Sequence, residues 1–478
     1  MLFNSFAYAY FFVAITIVSF ATPARWRWLP LLIGSYYFYS CANPVYLLLI
    51  LASTLVDYFV SMAMWRSASE SGKRFLLSVS LFANLGLLFA FKYYNFFADN
   101  VAQVTDALGM AWHPSRSQLP LPVGISFYTF QTLSYTIDVY RGRLKPETHL
   151  GRFALYVAFF PQLVAGPIER AVNLLPQLNS EQHFEVKRLI SGLRLILWGL
   201  FKKVVIADRL SDFVTRVYDA PDHFSGPTLW LATYFFAFQI YCDFSAYSDI
   251  AIGSARVLGI DLMQNFNLPY MATSIADFWR RWHISLSTWF RDYVYFPLGG
   301  NRIDSQWLWA RNVMVVFVVS GIWHGASWTY FVWGVLHGLY LVLGAWTRPV
   351  RARLADRLRI PTKVLWCWQV FVTFHLVLVS WVFFRARTVT DACRILWTMM
   401  TDWTGQLYLG PSQLATILAA ALVALLLIVQ LGQIRGWLPF YRSARKHGWY
   451  VRWPAYVTLI LLIAMLGVTA NDFIYFQF

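Results

Sequence analysis

The sequence predicts an all-α protein that crosses a membrane many times, and its composition and its long apolar runs carry this prediction. Hydrophobic residues make up 58% of the chain and charged residues only 13%, about half the charged share of a soluble domain. Five apolar runs approach the roughly 20 residues that a membrane-spanning helix needs; they cover residues 6–21, 46–65, 75–91, 414–431 and 456–470. With the shorter runs between them, we expect about ten to twelve crossings.

The first apolar run, residues 6–21, is predicted to stay in the protein as a helix. It resembles the apolar part of a secretory signal peptide, which basic residues normally precede. The first ten residues, MLFNSFAYAY, contain no Lys or Arg. The run therefore lacks the feature that would mark it for removal.

Basic residues lie between the apolar runs and predict which loops face the cytoplasm. The formal net charge is +16, and positive loops of membrane proteins stay on the cytoplasmic side. With the loop around Arg25 inside, the N-terminus and the stretch 99–118 lie outside, and the loop around Arg141 lies inside again. Anionic lipid headgroups account for most of this charge, so a nucleic-acid partner is not required. The basic residues are Arg25, Arg27, Arg66, Lys73, Arg74, Arg141, Arg143, Lys145, Arg348, Arg351, Arg353, Arg357 and Arg359.

The chain is predicted to form a single integral-membrane domain, residues 1–478, in three parts. Residues 1–97 are outer helices with few polar interruptions, and residues 364–478 are plain apolar helices again. Between them, residues 121–340 carry Asp, Arg, His, Gln and Asn within short apolar runs that Pro and Gly interrupt. Irregular backbone is tolerated at membrane depth only where protein covers it or where it lines an aqueous cavity. We therefore expect residues 121–340 to form a re-entrant, water-accessible core.

A polar helix face is predicted within QIYCDFSAYSDIAIG, residues 239–253. Gln239, Asp243 and Tyr247 are spaced by four residues and so share one face of a helix, and Asp249 adds a second carboxylate. Ionisable side chains within a membrane segment often mark a functional site. The alternative is a structural network in which the carboxylates pair with nearby arginines, and the sequence leaves both interpretations open.

The segment DFWRRWHISLSTWFRDYVYFPLGGNR, residues 277–302, mixes arginines with aromatic residues. This pattern is typical of an interfacial segment whose rings lie at the level of the lipid headgroups. Guanidinium groups also bind phosphates in bidentate fashion, so Arg280 and Arg281 are candidates to bind an anionic cofactor. His283 follows this pair and is a candidate to fold beside a second histidine further along the chain.

That second histidine is His324, which lies in SGIWHGASW between two apolar stretches. Gly321 and Gly325 permit the close approach of another backbone or of a ligand, and His337-Gly338 repeats the His-Gly pair. Burial favours the neutral imidazole, which is a good general base for a hydroxyl that attacks an acyl carbonyl. A histidine that only packs in the interior is the alternative.

The sequence lacks the motifs of other catalytic mechanisms. There is no G-x-S-x-G motif around a nucleophilic serine, no reactive-cysteine signature, and no H-x-x-H or H-E-x-x-H pair for a metal. The four cysteines, Cys41, Cys242, Cys367 and Cys393, are far apart and form no C-x-x-C motif. We therefore predict no metal site, no disulfide framework and no covalent enzyme intermediate.

Seven segments carry further information when they are taken together and in order. They are LPVGISFYTFQTLSY (121–135), FFPQLVAGPIER (159–170), FQIYCDFSAYSDIAIG (238–253), NFNLPY (265–270), DFWRRWHISLSTWFRDYVYFPLGGN (277–301), SGIWHGASW (320–328) and FIYFQF (473–478). In this order they resemble the membrane-bound O-acyltransferase family, and within it the bacterial branch that acetylates exopolysaccharides such as alginate and cellulose in biofilms. The first hundred or so residues resemble that family only in hydropathy.

The resemblance implies a fold and a site. The implied fold is a ring of helices around a thinned, re-entrant core, with a funnel from each membrane face meeting near a histidine. The implied catalytic residue is His324, and His283 is a second functional position. In this branch the membrane protein takes an acetyl group from a cytoplasmic thioester, for which acetyl-CoA is the expected donor.

The resemblance also implies partners and a location. The expected location is the bacterial inner membrane, with the N-terminus in the periplasm. A periplasmic or membrane-anchored acetyltransferase partner would place the acetyl group on the polymer, as part of a polysaccharide synthesis and secretion complex.

Rival functions remain open from the sequence. Within the family, D-alanyl transfer to teichoic acid, peptidoglycan O-acetylation, and lipid or protein acylation are alternatives. Outside the enzymes, a transporter also uses broken helices and intramembrane charges, but no second copy of residues 239–253 or 277–302 is found in the sequence. A structural export scaffold is the last alternative.

Overall fold

Helices are the only regular secondary structure among the described residues. The structure is a computed structural model that describes residues 1–110, 112–164, 166–435, 448–468 and 473, without the side chain of Val451. Residues 111, 165, 436–447, 469–472 and 474–478, which fall within predicted segments, lie outside this description. In chain order the α-helices are α1 Phe6–Ala21, α2 Trp28–Ser40, α3 Tyr46–Arg66, α4 Glu70–Leu88, α5 Tyr94–Ala107, α6 Ile125–Tyr140, α7 Leu150–Ala158, α8 Phe160–Leu163, α9 Ala171–Asn179, α10 Val186–Leu200, α11 Asp208–Asp219, α12 Gly226–Val257, α13 Ile275–Arg281, α14 Ile284–Phe290, α15 Gln306–His324, α16 Trp328–Trp346, α17 Arg348–Arg357, α18 Thr362–Arg385, α19 Val389–Thr401, α20 Gln413–Ile434 and α21 Trp449–Leu466.

Several helices have the length and composition of membrane spans. Within the described part of the chain, five qualify: Tyr46–Arg66, Glu70–Ala107, Trp328–Trp346, Thr362–Arg385 and Gln413–Ile434. The second of these joins α4 to α5 through a π-helical turn, and α1 is apolar but shorter. The predicted class, an all-α protein that crosses a membrane several times, is confirmed, while the number of crossings stays a prediction.

The Cα positions divide the chain into two compact units, of which the first comprises Met1–Arg194 and Ile250–Met263. In this unit α3, α4 and α6 pack against one another and enclose Asp57, which is fully buried. Its carboxylate accepts hydrogen bonds from the Ser80 hydroxyl at 2.5 Å and from the Asn84 side-chain amide at 3.0 Å. These bonds satisfy a polar group that would otherwise be costly to bury.

The second unit comprises Leu195–Asp249 and Gln264–Phe478. Helices α15 and α16 are joined by residues 325–327 alone, and so short a connection makes them antiparallel neighbours in a helical hairpin. Helix α16 also packs against α18, and α13 packs against both α16 and α18. This group of four helices surrounds the histidines that the sequence singles out.

Short helices and π-helical turns interrupt the second unit where the sequence predicts broken runs. Helices α13 and α14 have seven residues each, and π-helical turns cover Phe201–Ala207 and Arg291–Tyr295. Such turns are rare in ordinary helices and are often found at functional sites. The re-entrant path of this region through the membrane stays a prediction.

Candidate active site

His324 is the last residue of α15, at the turn of the α15–α16 hairpin. Ser305 caps the start of α15, where its side chain accepts a hydrogen bond from the backbone N–H of Leu308. Gly325, the first residue after the helix, has an extended backbone (φ −169°). Ser327 then caps the start of α16. The histidine therefore lies where one helix ends and its neighbour begins.

A backbone hydrogen bond determines which nitrogen of His324 is basic. Nδ1 lies 2.9 Å from the carbonyl oxygen of Ser320, one helical turn earlier. A carbonyl oxygen can only accept, so Nδ1 carries the hydrogen. In a neutral imidazole the lone pair is then on Nε2, which is the nitrogen able to take a proton.

Aromatic rings surround the His324 imidazole. Its ring centroid lies 4.7 Å from that of Trp333 on α16, 5.0 Å from that of Trp323 and 5.7 Å from that of Phe384 on α18. His324 is 4% exposed to solvent. The rings restrict the orientation of the imidazole and keep bulk water from it.

The glycines near His324 allow two helix backbones to touch. A Cβ atom on Gly321 would lie 2.4 Å from the carbonyl oxygen of Tyr330, and one on Gly334 would lie 2.3 Å from that of Phe317. Real Cβ atoms do not come so close. Of the two uses that the sequence leaves open for Gly321, the structure shows the close approach of a neighbouring backbone.

His283 connects α13 to α14 with a left-handed backbone. Its φ of 42° and ψ of 54° are uncommon for a residue with a Cβ atom, and residues in such regions often lie at functional sites. The side chain is fully buried. The surrounding structure must therefore hold His283 in place.

Asn265 supplies much of this restraint. Its backbone carbonyl accepts a hydrogen bond from the N–H of Ile284 at 3.0 Å, and its side-chain Oδ1 accepts one from the Ser285 hydroxyl at 2.6 Å. Its Nδ2 donates to the Ser248 hydroxyl on α12 at 3.1 Å. Asn265 was not among the predicted site residues, although it is the first residue of NFNLPY, one of the seven segments that carry the family resemblance.

The structure brings His283 and His324 together. Both imidazoles pack against the same indole, because the ring centroid of Trp323 lies 6.2 Å from that of His283 and 5.0 Å from that of His324. Phe244 on α12 packs edge-on against His283 at 4.6 Å. The roles of the two histidines stay a prediction.

The predicted arginine pair ends α13, and its two members differ in their contacts. The Arg281 guanidinium forms an ion pair with Asp277, with Nε 3.0 Å from Oδ1. Arg280 is exposed. Of the two, Arg280 therefore has the guanidinium that is more accessible to an anionic ligand.

The predicted polar face of α12 is turned toward other polar and aromatic groups. Asp243 Oδ1 lies 2.7 Å from Lys203 Nζ, and the ring of Tyr247 lies 4.6 Å from that of Phe473. Gln239 is half-buried, and its Oε1 has no hydrogen-bond partner within the described ranges. The three residues share a helix, but their contacts differ in kind.

Two consecutive lysines provide the ion pairs, instead of the arginines considered from the sequence. Lys203 Nζ also lies 2.8 Å from Asp208 Oδ1, and Lys202 Nζ lies 2.9 Å from Asp249 Oδ2. Both lysines lie in the π-helical turn Phe201–Ala207 and are buried. These pairs favour the structural interpretation of the α12 carboxylates. In the sequence, the signal for these ion pairs is the Lys-Lys pair inside the apolar stretch LILWGLFKKVVIA.

A cavity of about 290 Å³ lies beside α15. Its lining is mostly apolar and includes Trp279 from α13 and Phe290 from α14, with Arg291 as the one charged residue in its described lining. Ser320, whose carbonyl oxygen contacts His324, also lines the cavity, whereas His324 itself does not. The cavity therefore reaches the residue that orients the candidate base.

The arrangement is suited to general-base catalysis. An imidazole with a fixed Nδ1–H and a lone pair on Nε2 can accept a proton from a hydroxyl, and a second buried histidine lies close to it. Within the described part of the chain, no three His, Cys, Asp or Glu side chains are grouped so that they could hold a metal ion.

Comparison with known proteins identifies the family. Residues 143–386 match the membrane-bound O-acyltransferase family, a range that contains His283 and His324. A protein of Azotobacter vinelandii named "probable alginate O-acetylase" is 37% identical over 432 residues, which cover 88% of this chain and 84% of that protein. One of the same name from Pseudomonas aeruginosa is 38% identical over 410 residues, covering 85% and 76% of the two chains.

A relative with a different name is about as similar. The peptidoglycan O-acetyltransferase of Helicobacter pylori is 36% identical over 403 residues, which cover 78% of this chain and 73% of that protein. Matches of this identity and length extend well beyond the histidine segments. The chain therefore belongs to the membrane-bound O-acyltransferase family and is an O-acyltransferase.

Proposed function

We propose that this enzyme moves an acetyl group from a cytoplasmic thioester donor, acetyl-CoA, toward the hydroxyls of an alginate-type polysaccharide outside the membrane. The observation that carries the proposal is the His324 imidazole, which is buried at the turn between α15 and α16 and has its lone pair on Nε2. The relatives named alginate O-acetylase support acetyl as the transferred group and alginate as the type of polymer.

In the proposed reaction His324 acts as the general base. Nε2 takes the proton of the acceptor hydroxyl while the hydroxyl oxygen forms a bond to the thioester carbonyl carbon. The C–S bond then breaks, the thiolate takes the proton from the imidazolium, and the products are an acetate ester and a free thiol. The Ser320 carbonyl oxygen, which accepts from Nδ1–H, stabilises the imidazolium that forms between these steps.

His283 is proposed to assist the same reaction in one of two ways. A polar ring close to His324 is suited to orient the acceptor or to stabilise the oxyanion that forms on the thioester carbonyl, which is often the largest single contribution to rate. The hydrogen bonds of Asn265 to Ile284 and Ser285 hold the backbone next to His283. That restraint favours a ring that needs no rearrangement during the reaction.

The donor is proposed to enter from the basic, cytoplasmic side of the inner membrane, with the N-terminus in the periplasm. Arg280 is exposed and is proposed to bind donor phosphates, while Arg281 is engaged with Asp277. On the other side, a periplasmic or membrane-anchored acetyltransferase is proposed to pass the acetyl group to the polymer, in association with the complex that makes and secretes it.

Peptidoglycan O-acetylation is the second candidate function. The Helicobacter pylori relative of that name supports it, at an identity within two percentage points of the alginate-named relatives. The donor, the acetyl group and the role of His324 would be the same. Only the acceptor polymer and the partner that delivers to it would differ.

Acetyl transfer in membranes tests the proposal. Inner-membrane vesicles that contain the enzyme receive isotopically labelled acetyl-CoA, with alginate or peptidoglycan fragments as acceptors, in the presence or absence of the periplasmic acetyltransferase. We expect label on alginate, and only when the partner is present. Label on peptidoglycan fragments alone would support the second candidate. No label on either acceptor, with the inserted protein verified, would contradict acetyl transfer from acetyl-CoA.

A further inference from the structure

A third buried histidine, His337, joins three helices of the second unit through its two ring nitrogens. It lies on α16 and is 0% exposed. The indole N–H of Trp279 on α13 lies 3.2 Å from its Nδ1, and the hydroxyl of Ser380 on α18 lies 2.9 Å from its Nε2. The ring therefore bridges α13, α16 and α18.

The hydrogens of this chain of bonds can be assigned without ambiguity. An indole nitrogen only donates, so Nδ1 of His337 accepts and its single hydrogen is on Nε2. Nε2–H donates to the Ser380 oxygen, and the Ser380 hydroxyl in turn donates to the carbonyl oxygen of Val377 at 2.7 Å. Both ring nitrogens of His337 are therefore occupied by hydrogen bonds within the protein, so this residue is not a second base.

These bonds lie one helical turn from the residues that hold the His324 ring. Along α16, Trp333 precedes His337 by four residues, and its ring lies 4.9 Å from His337 and 4.7 Å from His324. Along α18, Phe384 follows Ser380 by four residues, and its ring lies 5.7 Å from that of His324. The His337–Ser380 bond therefore fixes α16 against α18 next to the two rings that pack on the catalytic candidate.

The bond to Trp279 extends the same restraint to His283. Trp279 lies on α13, four residues before His283, and α13 ends at Arg281. The Trp279 ring also packs edge-on against His337 and Trp333, at 5.0 Å and 5.7 Å. The His337 imidazole therefore links α13, which leads to His283, to α16 and α18, which pack around His324.

We infer that His337 is a positioning residue, which fixes His324 and His283 relative to each other through Trp333, Phe384 and Trp279. The inference rests on the proposed function, in which the two histidines act on one reacting centre. It does not depend on which polymer accepts the acetyl group. A small displacement of either ring is expected to slow the chemical step without changing how tightly the donor binds.

Three variants of the full-length enzyme in membranes separate positioning from packing. His337→Phe keeps an aromatic ring and loses both hydrogen bonds, whereas His337→Gln keeps a side-chain amide that can donate to Ser380. The matched control is His375→Gln on α18. His375 also uses both nitrogens, one with the Phe371 carbonyl and one with the Tyr234 hydroxyl, each at 2.8 Å.

Two readouts are measured on each variant. The first is kcat and KM for acetyl transfer from labelled acetyl-CoA. The second is the rate at which diethyl pyrocarbonate modifies His324, followed by peptide mass spectrometry. This second rate does not require acetyl transfer, so the inference is still decided if the wild-type enzyme transfers no acetate and the proposed function fails.

We expect His337→Phe to lower kcat roughly ten- to hundredfold with KM nearly unchanged, because small misplacements remote from the chemistry have effects of this size. His337→Gln should recover part of this loss. Modification of His324 should become several times faster in His337→Phe, because its aromatic surroundings loosen, and His375→Gln should match the wild type in both readouts. Unchanged kcat and unchanged modification in His337→Phe would overturn the inference, and so would equal losses in His375→Gln.

Discussion

Main-chain features hold the two candidate catalytic histidines in place. A carbonyl oxygen fixes the hydrogen of His324 on Nδ1, and His283 has a left-handed backbone that Asn265 restrains. A histidine in an apolar run can be recognised from the sequence as a candidate site residue, because an imidazole is seldom buried without a hydrogen-bond partner or a function. The residues that restrain the histidine cannot be recognised in this way, since Asn265 and Ser285 are twenty residues apart and meet only in the folded chain.

Replacing His283 by asparagine tests its function separately from its backbone. Asparagine tolerates the left-handed region better than other residues with a side chain of its size, so His283→Asn should keep the α13–α14 turn. We expect acetyl transfer to fall by about 10²–10³-fold, the range found when an oxyanion donor is removed, with only a small change in thermal stability. His283→Val is the comparison, because a β-branched residue in this conformation adds strain of about 1–2 kcal/mol. An active His283→Asn enzyme would remove His283 from the mechanism.

At the scale of elements, the contact between α15 and α16 determines where His324 lies. Helix α15 carries the histidine at its last position and α16 supplies Trp333, so the distance between the two helices sets the surroundings of the imidazole. Gly321 and Gly334 make this distance short, since a side chain at either position would meet backbone atoms of the other helix. Small residues at helix contacts have this use in membrane proteins.

An alanine at Gly334 is predicted to separate these helices. Its Cβ would meet the carbonyl oxygen of Phe317 at 2.3 Å, and overpacking of this kind destabilises proteins by about 1–3 kcal/mol. Gly344→Ala is the matched control on the same helix, because a Cβ there meets nothing within 4 Å. The unfolding temperature in detergent and the rate of acetyl transfer should both fall in Gly334→Ala. Both should stay unchanged in Gly344→Ala. Equal behaviour of the two variants would show that this close contact does not hold the site.

Helix positions could be predicted where apolar runs are long, and less well where the chain is broken. The run at residues 6–21 coincides with α1, and the run at 414–431 lies within α20, Gln413–Ile434. The break between α13 and α14 was not predicted, because it depends on His283 adopting a left-handed backbone that only tertiary bonds support. The Lys202–Asp249 and Lys203–Asp243 pairs were missed for a similar reason, since they join separate helices.

At the scale of the whole molecule, the uneven distribution of charge predicts the orientation in the membrane. Helix α17 joins α16 to α18, has no buried residue and carries four arginines in the stretch RPVRARLADR. Residues 99–118 contain a single arginine and no lysine. Positive loops stay in the cytoplasm, so α17 is predicted to face the side that holds the donor and residues 99–118 the opposite side.

Fusions to alkaline phosphatase test this orientation. The reporter is active only where its disulfides can form, which is outside the cytoplasm in bacteria. A fusion after Gly109 should therefore give high activity and one after Arg357 only background activity, with similar amounts of both proteins on immunoblots. The reverse pattern would place the arginines of α17 outside and would contradict donor entry from their side.

Acetyl transfer by a His324→Gln enzyme is the most direct measurement of whether His324 is the base. Membranes with equal amounts of inserted wild-type and His324→Gln protein receive labelled acetyl-CoA and the acceptor system that works for the wild type. Because a hydroxyl is a poor nucleophile at neutral pH without a base, we expect the rate of ester formation to fall by about 10²–10⁴-fold. A His324→Gln enzyme that forms the ester at the wild-type rate would contradict the assignment.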